Sequence, residues 1–204
     1  MKLYGSLTSP FVRTVRIAAI ELGIDKQIEF APTIVRPTQA NRDYGSSINP
    51  LRRVPALETD EGEIFIDSRV IVEFLNKAAK GDIVPKGAAA RIACFNRHAL
   101  FAGATEALVS AMYETRLRPE ERRWPEWAAD QIDKANATFD WAEQHHGDMP
   151  AEFDLAAIAL VCLIGYADLR FSEVDWLQNR AALAAFHAGA LQRPSVASTI
   201  PPAS

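Results

Sequence analysis

Ser9 is the first residue whose type and position suggest chemistry. It stands before Pro10, and the apolar spacing of the following residues predicts a helix over residues 10–22. A hydroxyl at a helix N-terminus can donate a hydrogen bond to an anion, and the helix dipole adds to the attraction. A thiolate held at this turn would gain the same stabilisation. On its own, a serine before a helix is more often a simple cap.

A second motif, residues 49–57 with the sequence NPLRRVPAL, leads into a predicted strand. Pro55 would begin that strand, where a proline is tolerated. A cis Val54–Pro55 bond would turn the N–H and C=O of Val54 outward, where they could pair with a peptide-like ligand. Most X–Pro bonds are trans, so the motif by itself predicts an ordinary start of a strand.

Asp67 and Ser68 form a third motif, between a predicted strand and a predicted helix. Either residue is a good N-cap, and the pair alone favours that interpretation. The pair could also bind a ligand that carries both an ammonium and a carboxylate. Asp67 would take the cation, while the Ser68 hydroxyl and the helix N–H groups would take the anion.

The elements that would position these motifs lie before residue 80. Short apolar runs predict strands over residues 2–5, 27–31, 54–59 and 63–66, and helical patterns cover residues 10–22 and begin again at residue 68. The weakly patterned segment 36–44 is either a short helix or a loop. This order predicts a small mixed sheet with helices on its faces.

After residue 80 almost every pattern is helical. The predicted helices cover residues 88–118, 125–146, 154–167 and 179–191, and the Pro- and Ser-rich tail, residues 195–204, is expected to lie extended on the surface. The third of these helices is apolar nearly all round, which favours a place at the centre of a bundle. The predicted fold class is therefore α+β, with a small mixed-sheet domain followed by an all-α helical bundle.

Composition limits the partners of the chain. Its 204 residues include 22 Lys and Arg against 26 Asp and Glu, a net charge of −4, so no general attraction to nucleic acid or to an anionic membrane is expected. The longest apolar stretch, residues 156–167, is too short to span a bilayer. The N-terminus lacks the apolar run of a signal peptide. Cys94 and Cys162 form no disulfide framework or metal motif, which favours a reducing, cytoplasmic location and no metal.

The ordered set of motifs resembles the glutathione S-transferase family, most closely its bacterial, cytosolic-type members with a serine in the first βα turn. The likeness is carried by TSPF at residues 8–11, by NPLRRVPAL, by the hairpin that follows and by the Asp-Ser pair opening a helix. It implies a thioredoxin-like glutathione-binding domain over residues 1–79, a linker over residues 80–87 and an all-helical C-terminal domain over residues 88–204.

The resemblance also assigns roles to individual residues in binding glutathione. Ser9 would hydrogen-bond the glutathione sulfur. Val54, before a cis Pro55, would pair with the cysteinyl unit, while Asp67 and Ser68 would hold the γ-glutamyl end.

Arg53 would bind the glycyl carboxylate of glutathione, although Arg36, Gln39 or Arg52 could reach the same place. Phe11 would lie at the boundary between glutathione and a second substrate. That second substrate would bind between the domains; besides Phe11, the candidate residues are His98, Phe101, Thr105 and Tyr113. Each of these could equally be a core or surface residue.

The resemblance implies glutathione transferase activity, in which the glutathione thiolate attacks a small electrophile in a detoxification reaction. Ser9 has no His or Asp partner in sequence, so it would act as a donor and not as a nucleophile. A mechanism with a protein cysteine is disfavoured because residues 8–11 contain none. A glutathione-dependent peroxidase and a non-catalytic ligand-binding or partner-binding protein remain alternatives. The family further implies a homodimer, in which Arg69 could reach across to the partner.

Overall fold

The N-terminal half of the protein forms a four-stranded mixed sheet in the computed structural model, which describes residues 1–202. Its strands are β1 (Lys2–Gly5), β2 (Glu29–Pro32), β3 (Ala56–Glu58) and β4 (Ile64–Ile66), in the order β2-β1-β3-β4. β1 and β2 are parallel, whereas β3 is antiparallel to both β1 and β4. The predicted mixed sheet is confirmed. β2 begins two residues later than predicted because residues 25–27 form a 3-10 turn.

The register of these strands brings three chain segments to one edge of the sheet. Tyr4, near the end of β1, pairs with Ala56, the first residue of β3. Ala56 in turn pairs with Ile66, the last residue of β4. The turn after β1, the bond before β3 and the residues after β4 therefore meet at this edge. Two strand spacings, about 10 Å, separate the outer two segments.

Three helices belong to this half of the chain: α1 (Pro10–Glu21), α2 (Arg42–Ser47) and α3 (Ser68–Ala78). α1 and α3 pack against each other through buried apolar faces, which include Val15 and Leu75. α1 stops at the predicted place, because Gly23 adopts a φ of 67° just after it. α2 begins within the weakly patterned segment and runs past its end.

The C-terminal half is helical, as predicted. Its helices are α4 (Ala88–Met112), α5 (Pro125–Gln144), α6 (Leu155–Arg170), α7 (Ala181–Leu191) and α8 (Pro194–Ala197). α4 continues into one wider π-helical turn, Tyr113–Leu117, which completes the helix predicted to reach residue 118. α6 packs against α4 and α1 and is buried along most of its length, at the centre of the bundle. None of the helices within residues 1–202 combines the length and apolarity that a bilayer span requires.

The tail does not lie extended on the surface, which corrects the prediction for residues 195–204. Residues 194–197 form α8, and Ser195, Val196 and Thr199 have at most 1% of their surface exposed. The cause is a partner far away in sequence: the guanidinium of Arg13 in α1 donates to the Val196 carbonyl at 3.3 Å. Ala203 and Ser204, which the prediction also covered, lie outside the described residues.

α6 begins with a cap that the sequence contains only in part. The Asp154 carboxylate accepts from the Ala157 N–H at 2.9 Å. Ala157, three residues after the cap, has no side-chain group that could return a hydrogen bond to the Asp154 N–H. The structure adds a second partner, since Arg97 of α4 pairs with the same carboxylate at 3.1 Å. This ion pair ties α4 to the start of α6.

Candidate active site

Ser9 lies at the sheet edge defined above, at the junction of β1 and α1. Its N–H bonds the Ser6 carbonyl at 3.0 Å, which closes the turn. Its hydroxyl oxygen accepts from the Val12 N–H at 3.3 Å, so Ser9 is the N-cap of α1, as predicted. Within residues 1–202 the hydroxyl has no other hydrogen-bond partner, and its proton is therefore available to a ligand at the positive end of the helix dipole.

Two further hydroxyls lie in the same turn. The side chains of Ser6 and Thr8 are 3.1 Å apart and hydrogen-bond each other. The Thr8 N–H also approaches the Ser6 hydroxyl at 3.4 Å. Only one of these two hydroxyls donates within the pair, whereas Ser9 is the hydroxyl that stands at the N-cap of α1, where the helix dipole favours an anion.

The Val54–Pro55 bond is cis, which confirms the expectation drawn from the family resemblance. Because β3 begins only at Ala56, Val54 lies outside the strand ladder. Among the described residues, neither its N–H nor its C=O has a hydrogen-bond partner. The free N–H and C=O can pair with the backbone of an extended peptide in the manner of an added strand.

Two residues that sequence reasoning did not assign hold this segment in place. The amide of Asn49 and the phenol of Tyr44 both donate to the Arg53 carbonyl, at 2.9 and 2.8 Å. Burial is the largest reason that the pKa of Tyr44 rises to about 12, so the phenol keeps its proton and remains a donor. Asn49 was visible as the first residue of NPLRRVPAL, but nothing in the sequence linked Tyr44 to Arg53.

Asp67 and Ser68 open α3 at the third position on this edge. Asp67 is the N-cap: its carboxylate accepts from the Arg69 N–H at 2.8 Å and remains exposed to solvent. Its φ of 71° is a left-handed conformation that is uncommon for residues other than glycine. Ser68, the first residue of the helix, is only 4% exposed. The pair thus offers a free carboxylate oxygen next to helix N–H groups.

The four residues predicted as candidates for binding the glycyl carboxylate are all exposed on the surface. Arg53 and Arg52 are exposed, and Arg52 has a φ of 51°. Arg36 and Gln39 close a small turn, in which the Gln39 N–H bonds the Arg36 carbonyl at 3.1 Å. Within residues 1–202 no hydrogen bond or ion pair holds any of these four side chains in place, and Arg53 stays the prediction for the glycyl carboxylate.

A narrow cavity of about 10 Å³ lies between α1, α4 and α6. Three of the residues predicted for the second substrate line it: Phe11, His98 and Thr105. Phe101 does not, because its ring is fully buried in the bundle at 6.3 Å from the ring of Trp141. Tyr113 lies two turns beyond Thr105, about 12 Å along the helix axis.

A wider groove of about 530 Å³ opens at the opposite edge of the sheet. Its walls include the N-terminal ammonium, which bonds Asp60 at 2.7 Å and the Gln27 carbonyl at 3.2 Å. None of the predicted site residues lines this groove. Among residues 1–202, no three His, Cys, Asp or Glu side chains are grouped so that they could hold a metal ion.

Comparison with known proteins agrees with this fold. The family model "Glutathione S-transferase, N-terminal domain" matches residues 3–82. An uncharacterized GST-like protein of Escherichia coli K12, YibF, is 32% identical over 207 residues, which cover 99% of each chain.

Two crystal structures of a glutathione transferase family member from Pseudomonas fluorescens Pf-5 are similar over nearly the full length. One, with bound glutathione, has a TM-score of 0.94 at 32% identity and covers 98% of both chains. The other, with bound S-(propanoic acid)-glutathione, has a TM-score of 0.90 at 32% identity and covers 99% of this chain and 100% of the other.

These similarities confirm a thioredoxin-like N-terminal domain followed by a helical C-terminal domain. They extend beyond the fold, because the similarity in sequence to the relative from Escherichia coli runs over nearly the whole of both chains. The chain belongs to the glutathione S-transferase family.

Proposed function

We propose that the protein is a glutathione transferase in which Ser9 keeps the glutathione sulfur ionised for attack on a small electrophile. The observation that carries this proposal is the meeting of three motifs at one edge of the sheet. The register of β1, β3 and β4 sets Ser9, the free backbone of Val54 and the Asp67-Ser68 pair side by side. A tripeptide with a thiol in its middle and an amino acid group at one end matches that arrangement.

The energy required of Ser9 is within reach of one hydrogen bond. A free thiol has a pKa of about 8.5, so lowering it by about two units requires about 2.7 kcal/mol of selective stabilisation of the thiolate. A hydrogen bond to a charged group contributes about 1.5–3 kcal/mol, and the helix N-terminus adds about 0.3–1 kcal/mol. The thiolate would then attack an electrophilic carbon, with Ser9 remaining uncharged throughout.

The remaining residues would bind and orient glutathione. The N–H and C=O of Val54, held by Asn49 and Tyr44, would pair with the cysteinyl backbone. Asp67 would bind the γ-glutamyl ammonium, and Ser68 with the N-terminus of α3 would bind its carboxylate. The glutathione complex of the Pseudomonas fluorescens relative supports this use of the site.

The S-(propanoic acid)-glutathione complex supports conjugation in particular, because its ligand is a thioether of glutathione. A protein-cysteine mechanism has no support from the thiols of this chain. Cys94 and Cys162 are buried, and burial raises the pKa of both, to about 11 for Cys94. Neither thiol lies in the turn at residues 6–9.

Replacement of Ser9 by Ala tests the proposal. Loss of the hydrogen bond should lower kcat/KM for conjugation by about 10- to 100-fold, while glutathione affinity changes much less. The absorbance of bound thiolate, followed against pH, should show the thiol pKa rising by about one to two units.

Thr8→Ala is the matched control, since it removes a neighbouring hydroxyl that is bonded to Ser6 and should leave the thiol pKa unchanged. Equal thiolate titration curves for the wild type and Ser9→Ala would remove Ser9 from this role. Glutathione binding without turnover of any electrophile would instead favour the non-catalytic alternative.

A further inference from the structure

The cavity between α1, α4 and α6 has the size of a single water molecule. Its volume of about 10 Å³ lies at the lower bound for one water. Half-buried Phe11, two residues after Ser9, forms one of its walls, and Ala102 and Ala159 form others. The cavity therefore lies beside the turn proposed to hold the thiolate and has room for one small group.

The polar atoms of two threonines in this cavity can accept a hydrogen bond. Thr14 donates its hydroxyl proton to the Pro10 carbonyl at 3.1 Å, and Thr105 donates its own to the Phe101 carbonyl at 2.8 Å. Both side chains are 3% exposed. With its proton committed, the Thr105 oxygen retains lone pairs for a donor, while the Thr14 oxygen also adjoins the thiol of Cys162, which lines the same cavity.

His98 supplies a buried polar atom that lacks a partner. The side chain is 5% exposed, and its Nδ1 has no hydrogen-bond partner within residues 1–202. Burial is also the main reason that the pKa of His98 falls to about 4, although Asp67 opposes the shift, so the ring is neutral near pH 7. Buried polar atoms almost always have partners, so this nitrogen indicates a group that the chain does not supply.

We infer that the cavity binds a hydroxyl group of the second substrate, which accepts from His98 Nδ1–H and donates to a threonine oxygen. This inference rests on the proposed transferase function and names the class of its second substrate: an apolar electrophile with an alcohol or phenol at one end. A carbonyl oxygen fits less well, because it has no proton for Thr14 or Thr105. No charged side chain lines the cavity to attract an ion. Water has the same O–H chemistry and is the competitor of the substrate hydroxyl at this position.

A matched pair of electrophiles measures this recognition. (E)-4-Phenylbut-3-en-2-one and its 3-hydroxyphenyl analogue differ only in the hydroxyl, and each enzymatic rate is divided by the uncatalysed rate with glutathione. The wild type should prefer the hydroxylated compound by about 10-fold in kcat/KM, since a paired hydroxyl contributes roughly one such factor. Thr105→Val, which keeps the shape and removes the acceptor, should reduce the preference to about 2-fold or less.

Thr138→Val is the control for the substitution itself. Thr138 makes the same kind of bond, to the Lys134 carbonyl at 2.9 Å, but lies on α5 away from the cavity. It should keep the full preference. Thr14→Val repeats the test from α1 if Thr105→Val does not fold.

Turnover of both electrophiles without any preference in the wild type would overturn this inference and leave the transferase function intact. Failure to turn over these two compounds and every other electrophile tested would contradict the proposed function instead. A crystal structure with the hydroxylated conjugate decides the inference in both cases. The hydroxyl oxygen should lie within hydrogen-bond distance of His98 Nδ1, and a water there with the hydroxyl elsewhere would contradict it.

Discussion

The residues of the candidate site differ in how much of their role local sequence reveals. Ser9 before a proline and Asp67 before Ser68 are helix caps that the sequence indicates directly, and the structure confirms both caps. The cis bond came only from the family resemblance. Tyr44 could not be predicted, because its bond to the Arg53 carbonyl depends on how the intervening loop folds. Phe101 was a candidate for the second-substrate site through the family resemblance, which does not distinguish a residue that lines the cleft from one in the core of the bundle.

Asp67 has a role that can be separated from that of Ser9. Replacement by Ala removes the carboxylate proposed to bind the γ-glutamyl ammonium. Glutathione affinity should fall by about 10-fold or more, while the thiol pKa of the glutathione that still binds changes little. Isothermal titration with glutathione measures this effect.

The cap role of Asp67 provides the control for that prediction. Asp67→Asn keeps an oxygen for the Arg69 N–H and should preserve stability while it still weakens glutathione binding. Unchanged affinity in both variants would mean that the γ-glutamyl end binds at another part of the sheet edge.

At the scale of whole elements, residues 193–199 hold α1 in place, and these contacts form what we call the clamp on α1. Glu21, at the end of that helix, receives a bidentate ion pair from Arg193, at 3.1 and 2.6 Å, and a hydrogen bond from Ser195. Arg13 binds the Val196 carbonyl, and Gly165 of α6 makes room for the Arg13 guanidinium, which a side chain there would displace. Composition could not predict this, because Pro and Ser indicate a loop unless a distant partner is known.

The ion pair of Glu21 makes a testable contribution to stability. Replacement by Gln should lower the free energy of unfolding at pH 7 by about 1–3 kcal/mol, because the charged bonds to Arg193 are lost. Asp140→Asn is the control: it breaks the pair with Arg180, but Asp140 is 60% exposed, and the loss should be about 1 kcal/mol or less. Urea unfolding of both variants makes the comparison.

The same pair predicts a pH dependence. The hydrogen bonds from Arg193 hold the pKa of the Glu21 carboxyl below its ordinary value. The unfolded chain therefore takes up this proton first, and the stabilisation is complete above the ordinary glutamate pKa of about 4.3. It is lost as the pH falls through the lowered pKa. Wild type and Glu21→Gln should converge in stability over that range, and a constant difference would contradict the assignment.

At the scale of the whole molecule, two apolar side chains are exposed to solvent near the starts of α3 and α4. Val70 is 41% exposed and Ile92 is 70% exposed. Arg69 and Arg91 both lie over the ring of Phe95, at 5.9 and 5.0 Å, which shows that the two helices adjoin there. The two exposed side chains are candidates for the interface of the homodimer that the family resemblance implies, and the homodimer stays a prediction.

Sedimentation equilibrium at micromolar concentration should show a dimer. Ile92→Glu, which puts a charge on that surface, should shift the protein toward the monomer. Ile200→Glu is the control, since Ile200 is 57% exposed but lies near α8. A wild-type monomer under these conditions would contradict the homodimer.

Local signals thus predicted the order of elements, the helix caps and the centre of the bundle, while the contacts between distant parts of the chain came only from the structure.

The clamp on α1 also has a consequence for synthesis. The two acceptors of Arg13, the Val196 carbonyl and the Thr199 hydroxyl, leave the ribosome 183 and 186 residues after Arg13 itself. Until those residues are made, the Arg13 guanidinium lacks both of the acceptors that it has in the folded protein. The helix that carries Ser9 is among the first parts made, and its packing is completed only by one of the last.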